Sequence, residues 1–314
     1  TGKGNVALGA WAMYDNTTGN SNIAIGAWDY GNTISALRNN TTGSANIAIG
    51  GAALSANTTG VANVGIGNSA LKANTTASYN TALGYTALAA NTTGTMNVAV
   101  GANAFYSNTT GSYNTAVGRG ALNSNTTADY NVAVGYHALN ANTTGTQNNA
   151  FGRGALETNT TASYNSAFGY FALAANTTGA SNVAVGKDAL YANTTGASNT
   201  AVGAYALDAN TTANYNTAVG ADSLTANTTG TKNTGIGYEA LEATTTGSYN
   251  TTVGSNSLKA NTTGVSNNAL GQSALASNTT GSNNVAIGLD ALATQQTAND
   301  NTTVGYFALK ANTT

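Results

Sequence analysis

The tripeptide Asn-Thr-Thr is the commonest group in this chain whose residue types and spacing could do chemistry. Asn57, Asn91, Asn108, Asn142, Asn176 and Asn193 each open one. Each is formally an N-x-[ST] acceptor, in which the side-chain amide would carry an N-linked glycan. A hydrogen-bonding role for the same amides would account for the motif equally well. A second candidate is a set of tyrosines. Tyr79, Tyr113, Tyr130 and Tyr164 recur at one position, and exposed tyrosine suits contacts with sugar or protein because it adds area at low entropic cost and keeps a polar tip. Packing between neighbouring rings, or against another chain, is the competing reading. The lone His137 stands where other copies place Trp11, Ser69, Asp188 or Phe307, which marks a surface residue rather than a base or ligand. Asp188, Asp222, Glu239 and Asp290 share that position, but neighbours in the stack are not consistently acidic and no calcium-loop spacing repeats. No Gly-Lys-Ser/Thr accompanies the glycines, so there is no phosphate loop. The expectation is no catalysis, no metal and no cofactor.

These residues are positioned by a repeat. A 17-residue phrase, N-T-T-G-x-x-N-x-A-(V/I/L)-G-x-x-A-L-x-x, runs eighteen times through the chain. Its positions are numbered here as phases 1 to 17, from the Asn of Asn-Thr-Thr. Phase 7 is Asn in every copy, as in Asn114, Asn131 and Asn148, and phase 11 is always Gly, as in Gly118, Gly135 and Gly152. Phase 1 is Asn in sixteen copies, replaced by Thr244 and Gln295. The one irregularity is an insertion at residues 29–35, which stretches the second repeat to 24 residues. Insertions in repeat folds map to loops on one face.

A fixed short period is the signature of a repeat architecture. Invariant Gly with frequent Thr and Asn leaves no run long enough for a useful helix. The period-two alternation across phases 8 to 10 argues for a strand. The expectation is therefore an all-β protein, a β-solenoid of about eighteen 17-residue coils, with strands near phases 7–10 and 14–17. Corners are expected at Gly of phase 11, where φ > 0 is needed, and around Thr-Thr-Gly. Coils stacking at about 4.8 Å would make a rod of roughly 85 Å. The always-apolar phase 10, including Val117 and Val134, and the leucines of phase 15, including Leu122 and Leu139, are expected to form the core. The Ala of phase 9 then faces away from it, and its small size points to a neighbouring chain packed there. Repeated Asn side chains are expected to form amide ladders from coil to coil.

Composition narrows the functional classes. Charged residues make up 6% of the 314, against about 25% in ordinary soluble domains. A net charge of -2, scattered singly, gives no basic stripe for nucleic acid and no polybasic segment for a membrane. There is no cysteine, hence no disulfide framework. The repeat keeps its character throughout, so residues 1–314 read as a single domain. It starts and stops within a repeat, as a segment of a longer protein would.

The stretches Asn22-Ile23-Ala24-Ile25-Gly26 and Asn97-Val98-Ala99-Val100-Gly101 resemble the head repeats of YadA-like trimeric autotransporter adhesins. The longer phrase from Asn108 to Gly118 looks like repeats of phage tail-fibre proteins. That resemblance implies a left-handed β-roll in a side-by-side homotrimer, working as an extracellular adhesive fibre on a cell surface or virion. Its partners would be further copies of itself and a host-surface glycan or protein. An extracellular self-assembling filament or matrix protein, and an ice-binding protein using threonine ladders, are the alternatives from other classes.

Overall fold

The computed structural model describes residues 2–26 and 34–312. Among them there is no helix, and each repeat contributes one three-residue strand at phases 8–10. The chain forms two compact units, Thr1–Thr161 and Ala162–Thr314. The first holds β1 (Val6–Leu8) through β9 (Asn149–Phe151), the second β10 (Ser166–Phe168) through β18 (Thr302–Val304). Within each unit successive strands pair in parallel, with Val132, Ala133 and Val134 opposite Asn149, Ala150 and Phe151. Each 17-residue phrase is thus one coil of a β-solenoid. Of the insertion at 29–35, residues 29–33 lie outside the described residues. Ser35 is buried, its hydroxyl donates to Ala10 O at 2.7 Å, and Leu37 N–H on Ala53 O resumes the stacking.

The second strand expected at phases 14–17 is a turn instead. Its N–H groups still bond to the next coil, as Leu139 N donates to Ala155 O at 2.9 Å and Ala141 N to Glu157 O at 3.0 Å. The backbone there is left-handed. Leu122, Leu139 and Leu156 have φ of 50°, 52° and 53°, and phases 13 and 6 carry positive φ as well. For a branched L residue this costs on the order of 1 kcal/mol or more. The leucine offsets it by filling the coil interior, where it is fully buried, and by keeping its N–H paired.

The inside–outside assignment of the strand is the reverse of the sequence expectation. Ala99, Ala116, Ala133 and Ala150 of phase 9 are fully buried, whereas Val117 and Val134 of phase 10 are only half-buried. The core is Ala of phase 9, Ala of phase 14 and Leu of phase 15. A 17-residue coil is too narrow for large side chains from both walls, so alanines let the walls approach while one leucine fills the gap. The exceptions at phase 9 confirm the contact. Where it becomes Thr252, phase 14 becomes Ser257, and the two buried hydroxyls hydrogen-bond. Where it is Gly235, a methyl group would come within 2.9 Å of the Ser223 hydroxyl.

Two asparagine ladders line the rest of the interior. Asn131 N–H donates to Asn114 Oδ1 at 2.9 Å, and Asn131 Oδ1 in turn accepts Asn148 N–H at 2.9 Å. Asn131 Nδ2 donates to Gly145 O at 2.9 Å, and the same carbonyl accepts Asn142 Nδ2 from phase 1 at 2.9 Å. Both lone pairs of the phase-4 carbonyl are therefore used, and polar groups that would otherwise be stranded inside the coil are satisfied. The phase-1 ladder has three gaps among the described residues, at Asn108 Oδ1, Asn227 Oδ1 and Gln295 Oε1, and only after Asn227 is the amide itself missing, at Thr244. Asn227 Oδ1, one coil earlier, is buried without a partner. Thr244→Asn should supply the missing amide and stabilise the fold by about 1 kcal/mol, read as a rise in Tm. An unchanged or lowered Tm would count against the ladder account.

Candidate functional site

The residues that could meet a ligand or partner are those the coil turns outward, and they fall into four columns. The first is the strand face. Because Ala of phase 9 points inward, phases 8 and 10 point out, and no copy places a charged residue at either. In the first unit this exposes Leu83, Val98 and Phe151, which are 45%, 36% and 36% accessible. In the second it exposes Phe168, Val183, Val185, Ile236, Val253, Leu270 and Ile287, with Leu270 at 50%. A shallow groove of about 240 Å³ runs between the side chains of Val253, Leu270, Val285 and Ile287. This outward strand face carries no charged side chain. Val117 and Val134 belong to it, not to the core.

The second column is tyrosine at phase 6. Tyr79, Tyr113, Tyr130 and Tyr164 are all exposed, at 58%, 48%, 55% and 59%, and all have φ between 60° and 64°. The rings of Tyr113 and Tyr130 stack, with centroids 5.1 Å apart and planes 7° from parallel. Met96 and Gln147 interrupt the column on either side of that pair. The third is threonine at phase 3, exposed in every described coil from Thr18 to Thr297. Its phase-2 neighbour is tied up in the stacking: Thr58 O accepts Thr41 N–H at 2.9 Å, Thr42 N–H at 3.1 Å and Thr41 Oγ1 at 3.1 Å.

The fourth column is the turn at phases 12, 13 and 16, where most of the charged residues sit. Phase 13 of one coil meets phase 16 of the next, so ion pairs form twenty residues apart. Lys310 bonds Asp290 at 2.7 Å, and His137 Nδ1 lies 3.3 Å from Glu157. Lys259 bridges Glu239 at 2.5 Å and Glu242 at 3.2 Å, which holds the Glu239 carboxyl below its ordinary range. These are partly exposed pairs, worth little individually. Among the described residues no group of three His, Cys, Asp or Glu could hold a metal ion.

The six asparagines read as glycan acceptors are corrected by their burial. Asn57, Asn91, Asn108, Asn142, Asn176 and Asn193 are fully inside the coil. Asn57 Nδ2 donates to Asn40 Oδ1 at 2.8 Å and to Gly60 O at 3.1 Å, leaving neither hydrogen nor space for a sugar on the folded chain. Asn114, Asn131 and Asn148 are likewise inside, at phase 7. Sequence reading missed the apolar outward face, although its signal was present: uncharged residues at phases 8 and 10 flank a column that never exceeds Thr in size. Compared with models of known protein families and with characterised proteins, the chain matches none.

Proposed function

We propose that this chain is a non-enzymatic structural and adhesive fibre segment, acting outside the cell on a bacterial surface or a virion. Its copies associate side by side through the outward strand faces. The uncharged outward face, apolar in every copy at phase 10 and in eight of the eighteen at phase 8, carries this reading. Its rows of exposed side chains recur coil after coil, as in Phe168, Val185, Ile236, Val253, Leu270 and Ile287. A second copy is the natural occupant, because it has the same coil rise and so matches the columns along their length. The likeness to trimeric adhesin heads is the ground for three chains and for the extracellular setting. The small Ala of phase 9 no longer supports association, since it is internal; the interface moves to its neighbours on either side.

Sedimentation equilibrium of the unmodified chain should give a concentration-dependent oligomer, a trimer at the upper plateau. Replacing Val98, Val100, Val117 and Val134 together by Lys should shift it to monomer without loss of β-sheet circular dichroism. A monomer at every concentration would sink the proposal. The exposed threonine column favours one second reading, ice binding. Thermal hysteresis that disappears when Thr110, Thr127 and Thr144 are changed to Lys would establish it, and absence of hysteresis would remove it.

A further inference from the structure

One place in the first unit breaks the monotony of the repeat. Three consecutive coils carry Arg119, Tyr136 and Arg153 at phase 12, followed at phase 13 by Gly120, His137 and Gly154. These are two of the chain's three arginines and its only histidine, and no other coil has Gly at phase 13. The His137 ring lies flat against Tyr136, with centroids 4.0 Å apart and planes 5° from parallel. Gly120 makes room for it: a methyl group there would lie 2.7 Å from His137 Cδ2. The guanidinium carbons of Arg119 and Arg153 stand 6.0 and 5.9 Å from the Tyr136 ring centroid, at the outer limit of a cation–π contact. Glu157 holds the imidazole through Nδ1, and both arginines and Tyr136 are exposed. The arrangement is a fixed aromatic plate with a forked cation on the coil before it and on the coil after it.

We propose that Arg119, Tyr136, His137 and Arg153 form a binding site for an acidic polysaccharide that carries a carboxylate or sulfate on alternate sugar rings. Guanidinium forks take such anions in a bidentate manner. The arginines are two coil rises apart, roughly 9.6 Å. Each pyranose ring advances a polysaccharide by about one coil rise, so anions two rings apart meet both forks while the intervening ring lies across the Tyr136 edge. An extended acidic peptide fits less well, because its same-face carboxylates recur at about 6.6 Å or twice that. Nucleic acid is disfavoured by the lack of any basic stripe beyond these two residues. The site lies past the phase-11 bend from the strand face, and it does not depend on association: a monomer would carry it.

Binding of the full chain to immobilised hyaluronate, with one carboxylate per disaccharide, and to kappa-carrageenan, with one sulfate per disaccharide, tests this at low ionic strength. Binding to either, weakened on the order of tenfold for each of Arg119→Ala and Arg153→Ala and unchanged by Arg38→Ala, is the expected result. The two surfaces distinguish carboxylate from sulfate. The double variant Arg119→Lys/Arg153→Lys, which keeps the charge and removes the forks, should also bind more weakly than the unmodified chain. Circular dichroism of each variant should match the unmodified chain, because the side chains are exposed. Absence of binding to both polymers, binding undiminished in the alanine variants, or equal binding to polyglutamate or oligothymidylate would overturn the proposal.

Discussion

Ala133→Asp should unfold the coils around it, whereas Val134→Asp, one residue on, should leave them folded. Ala133 is fully buried in β8 (Val132–Val134), and the packing at this phase is tight: at Gly65 a methyl group would lie 3.2 Å from Leu54 Cγ. A carboxylate there is both oversized and unpaired, and an uncompensated buried charge costs several kcal/mol, about 3–5. That is a large part of the stability of an ordinary domain. Val134 is half-buried and points outward, so its replacement leaves the stacking hydrogen bonds intact. Thermal unfolding of the two variants at the same dilute concentration separates them. A larger loss of Tm for Val134→Asp than for Ala133→Asp would return the core to phase 10 and refute the assignment made from burial.

Gly135→Ala should destabilise by about 3 kcal/mol, whereas Gly145→Ala should be almost neutral. Gly135 has φ of 141°, a region that L residues avoid at a cost of about 1–3 kcal/mol. An added methyl group would also lie 2.4 Å from Gly152 O in the next coil. Close approach alone does not forbid a side chain in this fold. At phase 4 an added methyl on Gly60 would lie 2.3 Å from Ala77 O, yet Ala77, Ala128, Ala162, Ala213 and Ala298 occupy that phase. No positive φ is required there, and small shifts absorb the contact. Phase 11 combines the contact with a left-handed backbone, and all eighteen copies keep Gly. Denaturant unfolding of both variants checks the pair. Equal destabilisation would mean that contact, rather than backbone conformation, excludes alanine.

The 17-residue period and the alternation at phases 8 to 10 were enough to establish one strand-bearing coil per phrase, its parallel register and the asparagine ladders. Each follows from local pattern: identical phrases stack on themselves, and identical amides then meet. Alternation also separated phase 9 correctly from phases 8 and 10. It could not say which side was inside, because a period of two is unchanged when the faces are exchanged. That was decided by the opposite wall of the coil. Phases 14 and 15 bring Ala and Leu against the strand, and only a small residue at phase 9, Ala in most coils and Gly or Thr in four, lets a ring of 17 residues close over one leucine per turn. The left-handed backbone at Leu139 was equally illegible, since leucine carries no local preference for positive φ and accepts it only because its burial outweighs the strain. The same closure turned the Asn-Thr-Thr amides inward. An acceptor motif is a property of three adjacent residues, but whether a sugar can reach it depends on where the coil puts the side chain. Tertiary structure thus decided what is exposed, and with it which columns a partner can touch.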